Sequence, residues 1–123
     1  MNAPPAIPDL LKPYAAIADF IARAFGHGVE VVLHDLSQPE RSVVYVANGT
    51  VTDRRPGQPF RHIISGALKA SGQGSDIITD FWFDWGDKRI RSSTLLIRGP
   101  SGGVDGAVCI NQDATRITRA IED

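Results

Sequence analysis

Two runs of β-favouring residues carry apolar side chains on both of their faces, and this constrains the fold more than any other feature of the 123-residue chain. In Val29 to Leu36, EVVLHDL at its core, alternation sets Val31 and Leu33 opposite Val32 and Leu36. In Ser42 to Ala47, SVVYVA, it sets Val44 and Val46 opposite Val43 and Tyr45. A strand with one wet face alternates apolar with polar residues, so a sheet built from these two runs is covered on both sides. The turn-forming Ser37-Gln38-Pro39-Glu40 between them predicts an antiparallel hairpin.

The rest of the chain supplies the cover. Met1 to Pro8, with three prolines, reads as an irregular arm, after which Leu10, Leu11, Tyr14, Ile17, Ala18, Ile21 and Phe25 recur at three- and four-residue steps as the stripe of a helix. Asp9 is placed to cap that helix and Gly26 to end it. Beyond Asn48-Gly49, a polar loop leads to Phe60, Ile63, Ile64, Ala67 and Leu68, which have helical spacing up to about Ser71. Three strands follow over Ile77 to Asp84, Ile90 to Arg98 and Val104 to Asn111, joined at Gly86-Asp87 and at Gly99-Pro100-Ser101-Gly102-Gly103. From Asp113 as cap, Ile117 and Ile121 mark a last helix that runs to the end of the chain and points to a longer protein. The expected architecture is α+β: a five-stranded antiparallel sheet, crossover helices on one face and the N-terminal helix on the other. It divides the chain into an arm (1–8), one folded domain (9–112) and an exit helix (113–123).

Composition narrows the class. The length fits one domain, and 42% hydrophobic against 22% charged residues is a globular balance. A formal charge of −1 offers no broad basic field to a phosphate backbone. Cys109 is the sole cysteine, so no disulfide forms within the chain; no signal peptide or apolar span of about 20 residues occurs, and a cytoplasmic location is expected. Asn48-Gly49-Thr50 matches a glycosylation sequon but reads as a turn.

Four strings sharpen the reading: Glu30 to Leu36 (EVVLHDL), Val46 to Gly49 (VANG), Arg91 to Thr94 (RSST) and Cys109 to Asp113 (CINQD). In this order and at these separations they closely resemble the YheO-like PAS domain family, over about Leu10 to Ile117. The resemblance implies the N-terminal sensor domain of a bacterial transcriptional regulator, followed there by a helix-turn-helix domain. The expected partners are a small polar metabolite and a second copy of the chain, with DNA engaged only through a helix-turn-helix domain that these residues do not contain.

Enzymatic chemistry finds little support. His34 and Asp35 are strand neighbours and point to opposite faces; Ser92 or Ser93 lies in no G-x-S-x-G elbow. His27, His34 and His62 lack the spacing of metal ligands, and no cofactor motif occurs. Cys109 reads as a buried inert thiol. His34, on the face of Val32 and Leu36, reads as a hydrogen-bonded structural histidine or as a ligand contact. Ser92, Ser93 and Thr94 put hydroxyls on both faces of an otherwise apolar strand, as a cross-strand ladder or as a pocket lining. Asn111 needs partners, from the exit-helix backbone or from a ligand. The candidate ligand-binding residues are Ser93, Thr94 and Asn111, with His34; strand parity allows only one of Ser93 and Thr94 to face the cavity. Phe81, Phe83 and Trp85 on one face, and Trp82 on the other, are expected to be mostly core, with some surplus serving self-association.

Overall fold

The computed structural model describes residues 5–59, 69 and 74–117. A short 3-10 turn, Asp9–Leu11, leads into helix α1, Lys12–Phe25, and the five strands are β1 (Val29–Asp35), β2 (Val43–Ala47), β3 (Ile77–Trp85), β4 (Lys88–Arg98) and β5 (Val104–Asp113). They form one antiparallel sheet in the order β2-β1-β5-β4-β3. The two ends of the chain's strand sequence therefore meet at the centre, where β1 pairs with β5.

All seven residues of β1 are buried, as its two-faced apolar pattern requires. On the face under α1, Val31, Leu33, Val44, Ala47, Ile97 and Val108 pack against Leu11, Ala18 and Ala22. On the far face, Val32, Val43, Leu96, Ala107 and Cys109 form a second cluster. Simple alternation mis-sorts β2, because the β1–β2 register slips between Leu33 and His34 and the extra residue, Val44, turns toward the helix with Tyr45. Val46 joins Val43 on the far side.

The helix stripe is also rotated from the expected one. Leu11, Ala18 and Ala22 are buried, whereas Ile17 and Phe25 point outward with Phe20. Small alanines let the helix axis come close to the sheet, and the bulky residues are left on its flank and back. Asp9 does not cap: Leu11 holds the N-cap position, Pro13 sits in the first turn, and Asp9 pairs with Lys12 at 2.7 Å on the surface. Gly26, at φ 74°, ends the helix as expected.

Asn48, itself at φ 58°, donates from its side-chain amide to the carbonyls of Gly26 (3.2 Å) and Val29 (2.8 Å), tying the end of β2 to the α1–β1 connection. The contact explains why the chain turns at VANG. At Gly106 the requirement is space: a Cβ there would lie 2.6 Å from Leu11 Cδ2 and 3.0 Å from the His34 carbonyl oxygen, so the absent side chain lets the helix entry seat on β5.

The aromatic run is not core. Phe81, Trp82 and Trp85 are each more than a third exposed, because β3 is an edge strand with neighbours on one side only. A bulge between Ile78 and Phe81, with Asp80 at φ 59° and its carboxylate accepting from Arg91 Nε at 2.8 Å, twists this edge. Apart from Lys69, which is helical, the residues from Phe60 to Ser71 that carry the expected helical spacing, and Ile121, lie outside the described residues; of the exit segment, 115–117 are helical.

Candidate functional site

Antiparallel register stacks the far-face residues into rows running across the sheet. His34, Ala107 and Leu96 form one row; Val32, Cys109, Thr94 and Ile78 form the next; Glu30, Asn111, Ser92 and Phe81 form the third. Nine polar or charged residues are buried among those described: Asp35 holds the β1 turn through Ser37 and Gln38, and all the others gather on or against this one face.

The third row is the most polar. Glu30, fully buried, accepts from Asn111 Nδ2 at 2.7 Å and from the Thr52 backbone N–H at 3.0 Å, and the Thr52 hydroxyl also donates to it. Ser92 Oγ donates to Asn111 Oδ1 at 2.8 Å. One hydrogen-bonded line thus joins β4, β5, β1 and the loop after β2. Three donors on one buried carboxylate offset the loss of water in a medium that solvates charge poorly.

In the second row Thr94 Oγ1 lies 3.3 Å from Cys109 Sγ. Burial pushes the Cys109 thiol up to about 11 against the opposing pull of Thr94 and Arg54, which leaves it protonated and unreactive. In the first row His34 Nδ1 and Ser42 Oγ share a hydrogen bond of 2.9 Å. Burial, with a smaller push from the Arg54 guanidinium, lowers His34 to about 4, so its ring is neutral at neutral pH. Arg54 is nearly buried and stacks over the Trp85 ring, 5.4 Å from its centroid.

The structure brings together three of the four residues singled out from the sequence: His34, Thr94 and Asn111 share the far face. Ser93 is on the other face, opposite Ile110, in a shallow groove of about 320 Å³ that Phe25, Val29 and Arg91 also line. Strand parity anticipated that split. Asn111 is hydrogen-bonded to the side chains of Glu30 and Ser92, in place of the exit-helix backbone. Glu30 was missed, although its alternation with Val32 and His34 places it on a buried face. Thr52 and Arg54 come from a polar loop whose sequence carries no such signal.

At the exit, the Asp113 carboxylate accepts from the Thr115 backbone N–H at 3.0 Å, the Asx-type contact its position suggested. Ala114 N–H donates to the Arg89 carbonyl at 2.8 Å and Arg89 N–H donates to Thr115 Oγ1 at 2.9 Å. The start of the last helix is thereby fastened to β4, a few residues beyond Asn111.

A five-stranded antiparallel sheet in this order, with an N-terminal helix on one face and a buried polar set on the other, defines a PAS-type domain. The solved structures agree: the chain is similar to the PAS domain of a protein from Colwellia psychrerythraea (TM-score 0.59, 22% identity, covering 88% of this chain and 99% of that one). It is also similar to the E. coli DcuS sensor domain (TM-score 0.54, 18% identity, covering 96% and 86%). The sequence profile of the YheO-like PAS domain matches residues 5–122, and the chain belongs to that family. Among curated proteins it is 30% identical to YheO of Escherichia coli K12 over 107 residues, covering 85% of this chain and 45% of that protein. It is 33% identical to the transcriptional regulator DauR of Pseudomonas aeruginosa over 101 residues, covering 82% and 46%. The chain spans less than half the length of these relatives. Among the described residues no helix is long and apolar enough to cross a membrane.

Proposed function

We propose that this domain is the ligand-sensing, non-enzymatic part of a cytoplasmic transcriptional regulator. It binds a small polar metabolite on the far face of its sheet and passes the bound state, as a dimer, through residues 113–123 to a DNA-binding domain. The relationship to DauR supports the regulatory context. The observation that carries the sensing role is the concentration of buried polar side chains on one face of an otherwise apolar sheet, with Asn111 two residues before Asp113 and the exit. A purely mechanical sheet would fill those positions with valine or leucine at no desolvation cost. On this reading His34, Thr94 and Asn111 contact the metabolite, Ser93 does not, and a change in the hydrogen bonds of Asn111 shifts the end of β5 and the helix that leaves it.

The test is a thermal-shift screen of small polar metabolites on the wild type, Thr94→Ala, Asn111→Ala and Ser93→Ala. A hit raises the wild-type melting temperature, as a ligand of the folded state must. Its effect falls by at least half in the first two variants and persists in Ser93→Ala. If no compound shifts the wild type, or if hits survive all three changes undiminished, the sensing site is wrong.

A second reading has its own observation. Among the described residues no buried polar side-chain atom lacks a hydrogen-bond partner, so the polar face is self-satisfied as it stands. That favours a ligand-free dimerisation module, the reading that a blank screen would leave.

A further inference from the structure

With Asp35 committed to the β1 turn, the buried polar set holds one carboxylate and one guanidinium, Glu30 and Arg54. One short loop brings them to the same face: Thr52 holds Glu30 through its backbone N–H and its hydroxyl, and Arg54 follows two residues later. Burial is the main influence on both His34 and Cys109, but the Arg54 guanidinium also lowers each of them and Glu30 raises Cys109. Both charges are therefore felt at the Cys109 thiol. Around that thiol the side chains are small, Ala107 and Cys109 on β5 and Ser92 and Thr94 on β4. A sheet face that is only packed is filled by larger aliphatic residues, whereas short side chains beside two opposite charges suit a small polar molecule.

The hydrogen-bonding capacity of the two groups matches such a molecule. Glu30 Oε1 accepts one bond and Oε2 two among the described residues. A carboxylate offers about four acceptor positions, so Oε1 can take a further donor. The Arg54 guanidinium stacks on Trp85 by its face, 5.4 Å from the ring centroid, while a carboxylate is bound by the edge of a guanidinium through paired N–H groups.

We infer that the metabolite sensed by this face is a zwitterionic amino acid, its carboxylate held by Arg54 and its ammonium group by Glu30. A zwitterion brings a counter-charge to each buried group. A simple anion meets Glu30 and a simple cation meets Arg54, each a like-charge contact away from water. Thr94 and His34 then line the part of the face that meets the rest of the ligand. The inference rests on the sensing role proposed above and names the class of its ligand.

The test is a thermal-shift and calorimetric titration of the standard amino acids, each beside its carboxamide and its N-acetyl derivative, on the wild type, Arg54→Gln and Glu30→Gln. The carboxamide keeps only the positive charge and the N-acetyl derivative only the negative one. At least one amino acid is expected to raise the wild-type melting temperature, with both derivatives binding at least tenfold more weakly. Arg54→Gln should collapse the preference for the amino acid over its carboxamide and Glu30→Gln the preference over its N-acetyl derivative, an exchange of specificity that mere loosening of the fold does not produce. A urea melt checks that each variant is folded; Arg54 lies on a loop, and Arg54→Gln alone decides half of the assignment. Amino acids that bind no better than their derivatives, or preferences that neither variant alters, overturn the inference. A wild type that ignores every amino acid but is stabilised by another polar metabolite overturns it and leaves the sensing role standing. A wild type that no compound stabilises overturns both.

Discussion

The Glu30 carboxylate and the Asn111 side-chain amide meet at 2.7 Å between paired residues of β1 and β5, one fully buried and the other nearly so. The pair joins the first strand to the last, and Asn111 in turn orients Ser92 on β4. Asn111→Ala removes one of the donors to a buried carboxylate and strips Ser92 of its acceptor. It is expected to cost about 2–4 kcal/mol in urea denaturation. Glu30→Gln, which keeps the shape and loses the charge, should cost less than Glu30→Ala. An Asn111→Ala loss below about 0.5 kcal/mol, within the usual range for a surface change, would show that the line of hydrogen bonds contributes nothing net.

Neutral His34 makes stability depend on pH. Its folded value is about 4 against an ordinary 6.5, so between those values the unfolded chain binds the proton and the folded one resists it. The stability contributed by the neutral ring is complete above pH 6.5 and is lost as pH falls toward 4, a total of about 3 kcal/mol at 1.36 kcal/mol per pH unit. Denaturation curves at pH 7 and pH 4.5 should show a smaller decline for His34→Gln than for the wild type, with carboxylate effects common to both. Equal declines would mean that the ring is not held neutral.

Gly106 and Leu11 should be energetically coupled. A methyl group at position 106 meets the Leu11 side chain, so Gly106→Ala is expected to cost about 1–3 kcal/mol. In a Leu11→Ala background the same change should cost measurably less, by about 0.5 kcal/mol or more. Strict additivity in the double-mutant cycle would argue that the backbone at His34, not Leu11, sets the limit.

Cys109 should behave as a core residue. With its thiol buried and pushed up to about 11, it is expected to resist a thiol-labelling reagent at pH 8 in the native state and to react at once in denaturant. Native labelling as fast as that of a free thiol would require an opening to this face that the buried position does not offer.

What the sequence by itself determined is local and periodic. The two-faced runs at Val29 and Ser42 demanded a sheet buried on both sides; the glycines at 26, 86 and 102, all at positive φ, marked the ends and turns; strand parity separated Ser93 from Thr94. These features depend on residues a few positions apart, where alternation and backbone sterics act directly. The tertiary structure alone decided the rest. Only the pairing of β1 with β5 brings Glu30 to Asn111, 81 positions along the chain, and only the fold of the loop after β2 carries Thr52 to the same carboxylate. The edge position of β3 turned an apparent aromatic core outward, and the close seat of small alanines rotated α1 so that Ile17 and Phe25, expected on the apolar stripe, are exposed. Which neighbour a side chain meets across a sheet is set by register and packing summed over the whole chain, and no local period encodes that sum.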